Sequence, residues 1–487
     1  MIDVQQLTVG FGQQPVLRGI DLHIGAGERV LLAGASGSGK STLLRCIAGI
    51  VPHAVAADMT GRITVASRDT ASTSLGDLAQ TVGLVFQNPG VQLFNLTVGE
   101  EVAFGPLNLG LTSREVRTRS EWALSVSGLT GREGEEVRTL SGGEQQRLAI
   151  AAVLAMRPAV LALDEPLASL DVESSRRLIG VLEELSRTAG TTVIVAEHRL
   201  REGAELASRT VLLDDGRVVA DGQTAILMNQ WSLLRELGLR RPTSASQSSW
   251  EQLVGPAAAP GGAPIVELRG VEAWYGRRCV LAGLDLVIHE GEFVALVGDN
   301  GSGKTTVARL LAGMLPPKAG VVRWAHGKPV PGRDVGILLQ DSRWQLFCDT
   351  VASEIAFGPS NFGINAGPLV SRLLKAADLE QAGDRPLYTL SAGQQQRAAL
   401  AAVLAIEPRL LILDEPTIGQ DWRHLDRLMT VVSDLNRRGC AVLLISHDFK
   451  LIHRHASRIV MLRGGRVAAD GVPATGQAEK AQDIHAI

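Results

Sequence analysis

Short apolar runs recur along the chain in matching surroundings. Arg29-Val30-Leu31-Leu32-Ala33 and Phe293-Val294-Ala295-Leu296-Val297 each lead into a glycine-rich stretch, the pattern of a strand buried on both faces. Val160-Leu161-Ala162-Leu163 and Leu410-Leu411-Ile412-Leu413 have the same character and end in acidic pairs. The period then changes. After Asp171, Leu178, Val181, Leu182 and Leu185 fall on one helical face, with Asp171 as N-cap and Gly190 as stop. After Asp421, Leu425, Leu428, Met429, Val432 and Leu435 repeat this face, and Gly439 ends it. Strands alternating with helices predict a mainly parallel sheet with helices on both faces.

The pattern is therefore internally duplicated. Gly34-Ala35-Ser36-Gly37-Ser38-Gly39-Lys40-Ser41-Thr42 returns as Gly298-Asp299-Asn300-Gly301-Ser302-Gly303-Lys304-Thr305-Thr306. Leu140-Ser141-Gly142-Gly143-Glu144-Gln145-Gln146-Arg147 returns as Leu390-Ser391-Ala392-Gly393-Gln394-Gln395-Gln396-Arg397, and Leu163-Asp164-Glu165-Pro166 as Leu413-Asp414-Glu415-Pro416. The order is the same, but the second half is shorter between its lysine and its aspartate. The difference falls mainly around Ala54–Leu78, whose Thr, Ser, Ala and Asp content reads as a loop-bearing insertion. The expected organisation is a first domain over 1–240, a linker over 241–264, a second domain over 265–473 and a polar tail over 474–487. Trp250 and Leu253 interrupt the Pro-, Ala-, Gly- and Ser-rich linker, so part of it is expected to dock.

Composition narrows the function classes. With 487 residues, two or three domains are expected. Charged residues at 20% and hydrophobic residues at 45% exclude a disordered chain, and a net charge of -3 argues against bulk nucleic-acid binding. Cys46, Cys279, Cys348 and Cys440 are scattered and form no CxxC pair, which fits a reducing compartment rather than a disulfide framework or zinc site. Met1-Ile2-Asp3-Val4 predicts no secretory leader. The most apolar stretches, Leu148–Met156 and Ala398–Ile406, are too short to span a bilayer.

The glycine-rich stretches fit G-x-x-x-x-G-K-[ST]. Their backbone N–H groups can turn inward to cradle phosphate oxygens, helped by the start of the following helix. Gly34, Ser36, Gly37, Gly39, Lys40, Ser41 and Thr42 form the first such loop. Gly298, Asn300, Gly301, Gly303, Lys304, Thr305 and Thr306 form the second. Lys40 and Lys304 would neutralise β- and γ-phosphates, and Ser41 and Thr305 would offer hydroxyls to Mg²⁺. Asp164 and Asp414, each closing a buried strand, suit the metal, and the adjacent Glu165 and Glu415 suit the attacking water. One such match is compatible with an ordinary turn. Two, each between a strand and a helix and each followed by an acidic pair, are not.

At Leu140–Glu144 and Leu390–Gln394 the chain resembles the signature sequence of ATP-binding cassette (ABC) ATPases. This resemblance implies two tandem P-loop NTPase domains of α/β class. Each would have a mainly parallel sheet core, an antiparallel β subdomain and a helical subdomain. It also implies that the signature of one domain closes over ATP held by the P-loop of the other. Ser141, Gly142 and Gly143 would then serve one site, and Ser391, Ala392 and Gly393 the other. Further residues carry over. Phe11 and Tyr275 stand where the family stacks an aromatic on adenine, and each precedes its lysine by the same interval (11 to 40, 275 to 304). Gln87 and Gln340 match the glutamine that reaches the metal and senses the γ-phosphate. His198 and His447 match the switch histidine. Ser169-Leu170-Asp171 matches the aspartate loop, of which Gly419-Gln420-Asp421 keeps only the aspartate. Ala392 and Glu144 depart from the pattern without removing a catalytic group. Both halves keep lysine, aspartate, glutamate and histidine, unlike the unequal halves of tandem sugar-importer ATPases.

A narrower resemblance follows each glutamine. Gln87-Asn88-Pro89-Gly90-Val91-Gln92-Leu93-Phe94 runs on to Glu101-Val102-Ala103-Phe104-Gly105-Pro106. Gln340-Asp341-Ser342-Arg343-Trp344-Gln345-Leu346-Phe347 runs on to Glu354-Ile355-Ala356-Phe357-Gly358-Pro359. These look like the ATPases of energy-coupling factor (ECF) importers of vitamins and transition-metal ions, where this region meets the coupling helices of a transmembrane subunit. The resemblance implies ATP and Mg²⁺ as ligands. It also implies an integral coupling subunit and a substrate-binding membrane protein as partners, and a peripheral place on the cytoplasmic face of the membrane. Phe104 and Phe357 read as core, and the paired Gln92 and Gln345 as the functional feature. The alternative, a soluble tandem ABC ATPase acting on ribosomes or nucleic acid, would usually carry a long charged linker, a zinc module or a coiled coil.

Overall fold

The computed structural model describes residues 1–12, 14–167, 172–197, 200–239, 250–257, 261–276, 278–417 and 422–474. Two compact units divide the chain, Met1–Pro242 and Thr243–Ile487. His198 and the segments Ser169-Leu170-Asp171 and Gly419-Gln420-Asp421 lie outside the described residues.

The apolar runs become strands whose side chains alternate between two cores, as the period of two requires. In the first unit Val160 and Ala162 join Leu44 and Ile47 of the P-loop helix in one core. Leu161 and Leu163 join Leu148 and Leu154 of the signature helix in another. The second unit repeats this, with Leu410 and Ile412 on one face and Leu411 and Leu413 on the other. A strand buried on both faces shows no alternation in its sequence, which is why these runs read as continuous.

The central sheet of the first unit has the order Arg217–Gln223, Arg209–Asp214, Arg29–Ala33, Thr192–Glu197, Val160–Asp164, Val82–Val85. All neighbours are parallel except the first pair. The second unit has the order Val335–Leu338, Leu410–Asp414, Ala441–Ile445, Phe293–Val297, Arg458–Arg463, Arg466–Gly471, antiparallel only at its last pair. Because the inner strands are parallel, their C-terminal ends share one edge. Ala33, Val85, Asp164 and Glu197 end there in the first unit, so the segments that follow them converge.

An antiparallel sheet flanks each core. In the first unit it runs Gln14–Ile24, Ile2–Phe11, Asp58–Val65, Arg68–Asp69. In the second it runs Arg278–His289, Pro264–Tyr275, Ala319–Trp324. Helices Val98–Asn108, Ser113–Val126 and Gly142–Ala155 pack together on the other side, as do Val351–Asn361, Gly367–Ala377 and Ala392–Leu404. The expected α/β fold of two such units is therefore observed. The Ala54–Leu78 stretch is more ordered than a loop: it holds the strands Asp58–Val65 and Arg68–Asp69 and runs into the helix Leu75–Ala79. Ser74 caps that helix, and Leu78 is buried in it.

The amphipathic faces also form as expected. Leu425, Leu428, Met429, Val432 and Leu435 of Trp422–Arg437 are all buried. Gly190 and Gly439 follow their helices with positive φ, the backbone that ends a helix without a Cβ penalty. Among the linker residues, Trp250–Leu253 forms a short helix, and Leu253 is buried in the core of the second unit.

Candidate nucleotide sites

Each P-loop wraps its own lysine. Lys40 Nζ donates to Gly34 O at 2.8 Å and Ala35 O at 2.9 Å, and Lys304 Nζ donates to Gly298 O at 2.8 Å and Asp299 O at 3.0 Å. Two glycine positions are sterically obligatory. A Cβ at Gly34 would lie 2.3 Å from Leu213 O, and one at Gly298 2.2 Å from Leu462 O. Gly39 and Gly303, at φ 100° and 105°, turn the chain into the helices that begin at the lysines. The two loops are thus narrow cradles lined by backbone, the geometry that holds phosphate oxygens.

The acidic pairs come to the same edge. Asp164 accepts a hydrogen bond from Ser41, and Asp414 one from Thr305. Both aspartates are buried, and one carboxylate oxygen of each, Asp164 Oδ1 and Asp414 Oδ2, has no hydrogen-bond partner among the described residues. An orphaned buried carboxylate oxygen beside a hydroxyl is a hard oxygen donor set, and it fits Mg²⁺ shared with nucleotide phosphates. Burial pushes Asp164 up to about 6 from its ordinary 3.8, opposed by the Ser41 hydrogen bond and helped by the Glu165 charge. Burial likewise raises Asp414, against the Thr305 hydrogen bond.

This shift has a stability consequence. The folded chain holds a proton on Asp164 more tightly than the unfolded chain does, so ionising it costs stability. The cost is absent below the ordinary value, grows as pH rises from about 4 to about 6, and is complete above that. It amounts to about 3 kcal/mol at most, taking 1.36 kcal/mol per pH unit. Asp164→Asn carries no such cost. In chelator, the variant is expected to melt above wild type at neutral pH by a margin that shrinks towards pH 4. Melting curves across that range check this, and a pH-independent margin would contradict it.

Glu165 and Glu415 occupy strained backbone, at φ 48° and 51°. Their N–H groups are fixed by Ala196 O at 2.9 Å and Ile445 O at 2.8 Å. Strain held in place by neighbouring strands is a mark of functional positions. In the first unit Gln87 Nε2 donates to Glu165 Oε2 at 2.9 Å. In the second, His447 Nε2 lies 3.5 Å from Glu415 Oε1, whereas Gln340 is exposed. The structure therefore joins glutamine to glutamate in one unit and histidine to glutamate in the other.

Phe11 and Tyr275 end inner strands of the antiparallel sheets and are 39% and 44% exposed, open enough to stack on a base. The Tyr275 hydroxyl accepts from Arg309 at 3.3 Å. Ser141 and Ser391 cap the signature helices in capping boxes with Glu144 and Gln394. Glu144 accepts from Ser141 N at 2.7 Å and pairs with Arg132 at 2.6 Å, so the departure from glutamine keeps the cap and adds an ion pair. A Cβ at Gly142 would meet nothing within 4 Å of the described residues, and Ala392 at the same place is exposed. The extra methyl therefore costs the second unit nothing.

The family model described as ABC transporter matches residues 17–168 and 281–418. The chain belongs to the ABC transporter family. A relative described as an ABC transporter ATP-binding protein, from Methanosarcina acetivorans, is 36% identical over 515 residues, covering 95% of this chain and 84% of the relative. Among solved structures, cbiO1 from Clostridium perfringens, described as part of the ABC transporter complex cbiONQ, covers 50% of this chain and 95% of that one at 31% identity, with a TM-score of 0.43. The archaeal ribosome recycling factor aABCE1, solved with ribosomal stalk protein aP1, covers 99% of this chain and 92% of that one at 20% identity, with a TM-score of 0.62, a likeness of fold. As a member of this family, this ABC protein is an ATPase that binds ATP with Mg²⁺.

The segments after the glutamines differ from expectation. Gln92 accepts from Phe86 N at 3.1 Å and donates to Leu84 O at 3.0 Å, and Gln345 makes the same two bonds to Leu339 N and Ile337 O, at 2.8 and 2.6 Å. The paired glutamines are thus structural pins of the strand edge. Phe104 and Phe357, expected in the core, are 43% and 45% exposed. Leu93 and Leu346 pack against the cores.

Proposed function

We propose that this chain is the ATP-hydrolysing energy-coupling subunit of an ECF-type importer. In this reading it drives uptake of a vitamin or transition-metal ion through a separate membrane complex. Asp164 and Asp414 hold the metal with Ser41 and Thr305. Glu165 and Glu415 orient the attacking water, with Gln87 and Gln340, His198 and His447 as γ-phosphate sensors. Ser391, Ala392 and Gly393 complete the site of Lys40, and Ser141, Gly142 and Gly143 that of Lys304. Phe11 and Tyr275 stack on adenine.

The observation that carries this reading is a pair of exposed aromatic corners. Phe94 and Phe104 meet edge to face, with ring centroids 4.7 Å apart and planes at 87°, and Phe347 and Phe357 do so with the same distance and angle. Phe94, Leu96, Trp344 and Phe347 are each more than 60% exposed. Exposed apolar patches of this kind mark interaction surfaces. Both corners are held stiffly: buried Glu101 accepts from Phe94 N and Asn95 N, and buried Glu354 from Phe347 N and Cys348 N, at 2.8–3.0 Å. Each also lies directly after its γ-phosphate-sensing glutamine, so a displacement at the nucleotide can reach a docked helix. No helix among the described residues is long and apolar enough to cross a membrane. Contact with the bilayer would then run through an integral coupling subunit and a substrate-binding membrane protein, on the cytoplasmic face.

Phe94→Asp with Phe347→Asp is expected to abolish co-purification with the membrane coupling subunit, while ATP binding by the isolated chain stays within about twofold of wild type, because surface changes away from the fold's anchors cost little. Affinity purification from detergent-solubilised membranes, alongside a nucleotide-binding assay, tests this. Intact assembly in the double variant would contradict the docking assignment.

A further inference from the structure

The short helix Trp250–Leu253 sits beside the catalytic end of the second unit. Leu253 is buried in that unit's core, Glu251 pairs with Arg463, and the following residues bond to the chain's last described strand region, with Gly255 N to Val472 O at 2.7 Å and Val472 N to Pro256 O at 2.9 Å. These contacts place the Trp250 ring against Phe449, with centroids 4.8 Å apart and planes at 24°, and 5.6 Å from the His447 ring at 56°. His447 in turn faces Glu415 across 3.5 Å. A continuous line runs from Trp250 through His447 to Glu415.

We propose that Trp250 is a positioning residue for ATP hydrolysis at the Lys304 site, holding the His447 ring in the orientation that addresses Glu415. His447 lies between the strand Ala441–Ile445 and the helix Phe449–His455, whose start is fixed by Asp448 accepting from Leu451 N at 3.1 Å. The backbone on both sides is thereby set. The side chain of His447 needs a wall to select its rotamer, and an indole face stacked on Phe449 supplies one. In the first unit Leu200 stands where Phe449 stands here, in one buried cluster with Leu227, Leu234 and Leu237, against which Trp231 packs. The two units thus cover corresponding places with different parts of the chain. In the second unit the cover comes from the segment that precedes the first strand of its antiparallel sheet, so the Lys304 site depends on a segment composed like a linker. The inference rests only on the family's ATPase chemistry, not on what that chemistry drives.

Steady-state ATP hydrolysis by the full chain tests this, with Glu165→Gln in every variant so that the reading comes from the Lys304 site. Trp250→Ala is expected to lower kcat for the Lys304 site about twofold to tenfold, the range of one aromatic contact. KM for ATP should stay within about twofold, because the contact acts on the chemical step and not on nucleotide binding. Trp250→Phe, which keeps a ring on Phe449, should recover most of the loss. In a His447→Ala background, Trp250→Ala should cause no further loss, since the two act as one unit. A purely structural role would raise KM or lower the melting temperature, and its loss would persist without His447. Wild-type kcat in Trp250→Ala, an equal fractional loss in both backgrounds, or a failure of Phe to recover activity would each overturn the proposal. Should His447→Ala abolish all turnover, the kcat-against-KM split and the Phe recovery decide alone.

Discussion

Turnover of ATP by the chain carrying both Glu165→Gln and Glu415→Gln is expected to fall at least about 10²-fold, the scale of losing a positioned acid–base group. ATP binding should survive, because the change removes a group proposed to act on water and leaves the phosphate cradles and the Ser41–Asp164 and Thr305–Asp414 pairs intact. Each single change should also lower turnover, since both glutamates occupy the same strained, strand-pinned backbone. The measurement is steady-state phosphate release together with equilibrium nucleotide binding. A wild-type rate in Glu415→Gln would make the second site regulatory.

The second large effect concerns the signatures. Under the proposed completion of each site by the other unit's signature, Ser391→Trp is expected to impair hydrolysis at the site of Lys40 by about 10²-fold, the scale of losing preorganised donors to a developing charge. Ser391 also caps its own helix, accepting from Gln394 N at 3.3 Å. Ser391→Ala, which removes the cap without adding bulk, separates the two roles and should cost far less. Site-resolved trapping of a photoreactive nucleotide reads the outcome. Impairment confined to the peptide carrying Lys304 would contradict the assignment.

The phosphate chemistry was legible in the sequence because it tolerates few alternatives. A cradle that must bring backbone within reach of a ligand needs glycine, as the 2.3 Å clash at Gly34 illustrates, and a metal site needs an acid at the end of a buried strand. The parallel sheet was legible for a related reason: runs such as Leu410–Leu413 are apolar throughout because they face two cores. What failed to show was tertiary. Gln92 looked functional because it recurred, yet it recurs because the same strand edge needs the same two backbone bonds in both units. Phe104 looked like core because aromatic residues usually are, and no periodicity signalled that its helix turns that residue outward to meet Phe94. Docking at Trp250 and Leu253 was legible because they interrupt a Gly-, Pro- and Ala-rich segment, but the helix they form was not, since four residues have no periodic signature. Strand Arg68–Asp69 was too short to read among polar residues, and its pairing with Asp58–Val65 determines it.

Under the proposed assignment one chain carries two complete nucleotide sites. Native mass spectrometry of the Glu165→Gln, Glu415→Gln chain with ATP and Mg²⁺ tests it most directly. Two ATP molecules per chain are expected, falling to one on adding either Lys40→Ala or Lys304→Ala, and a single bound nucleotide in the chain with both lysines intact would contradict this.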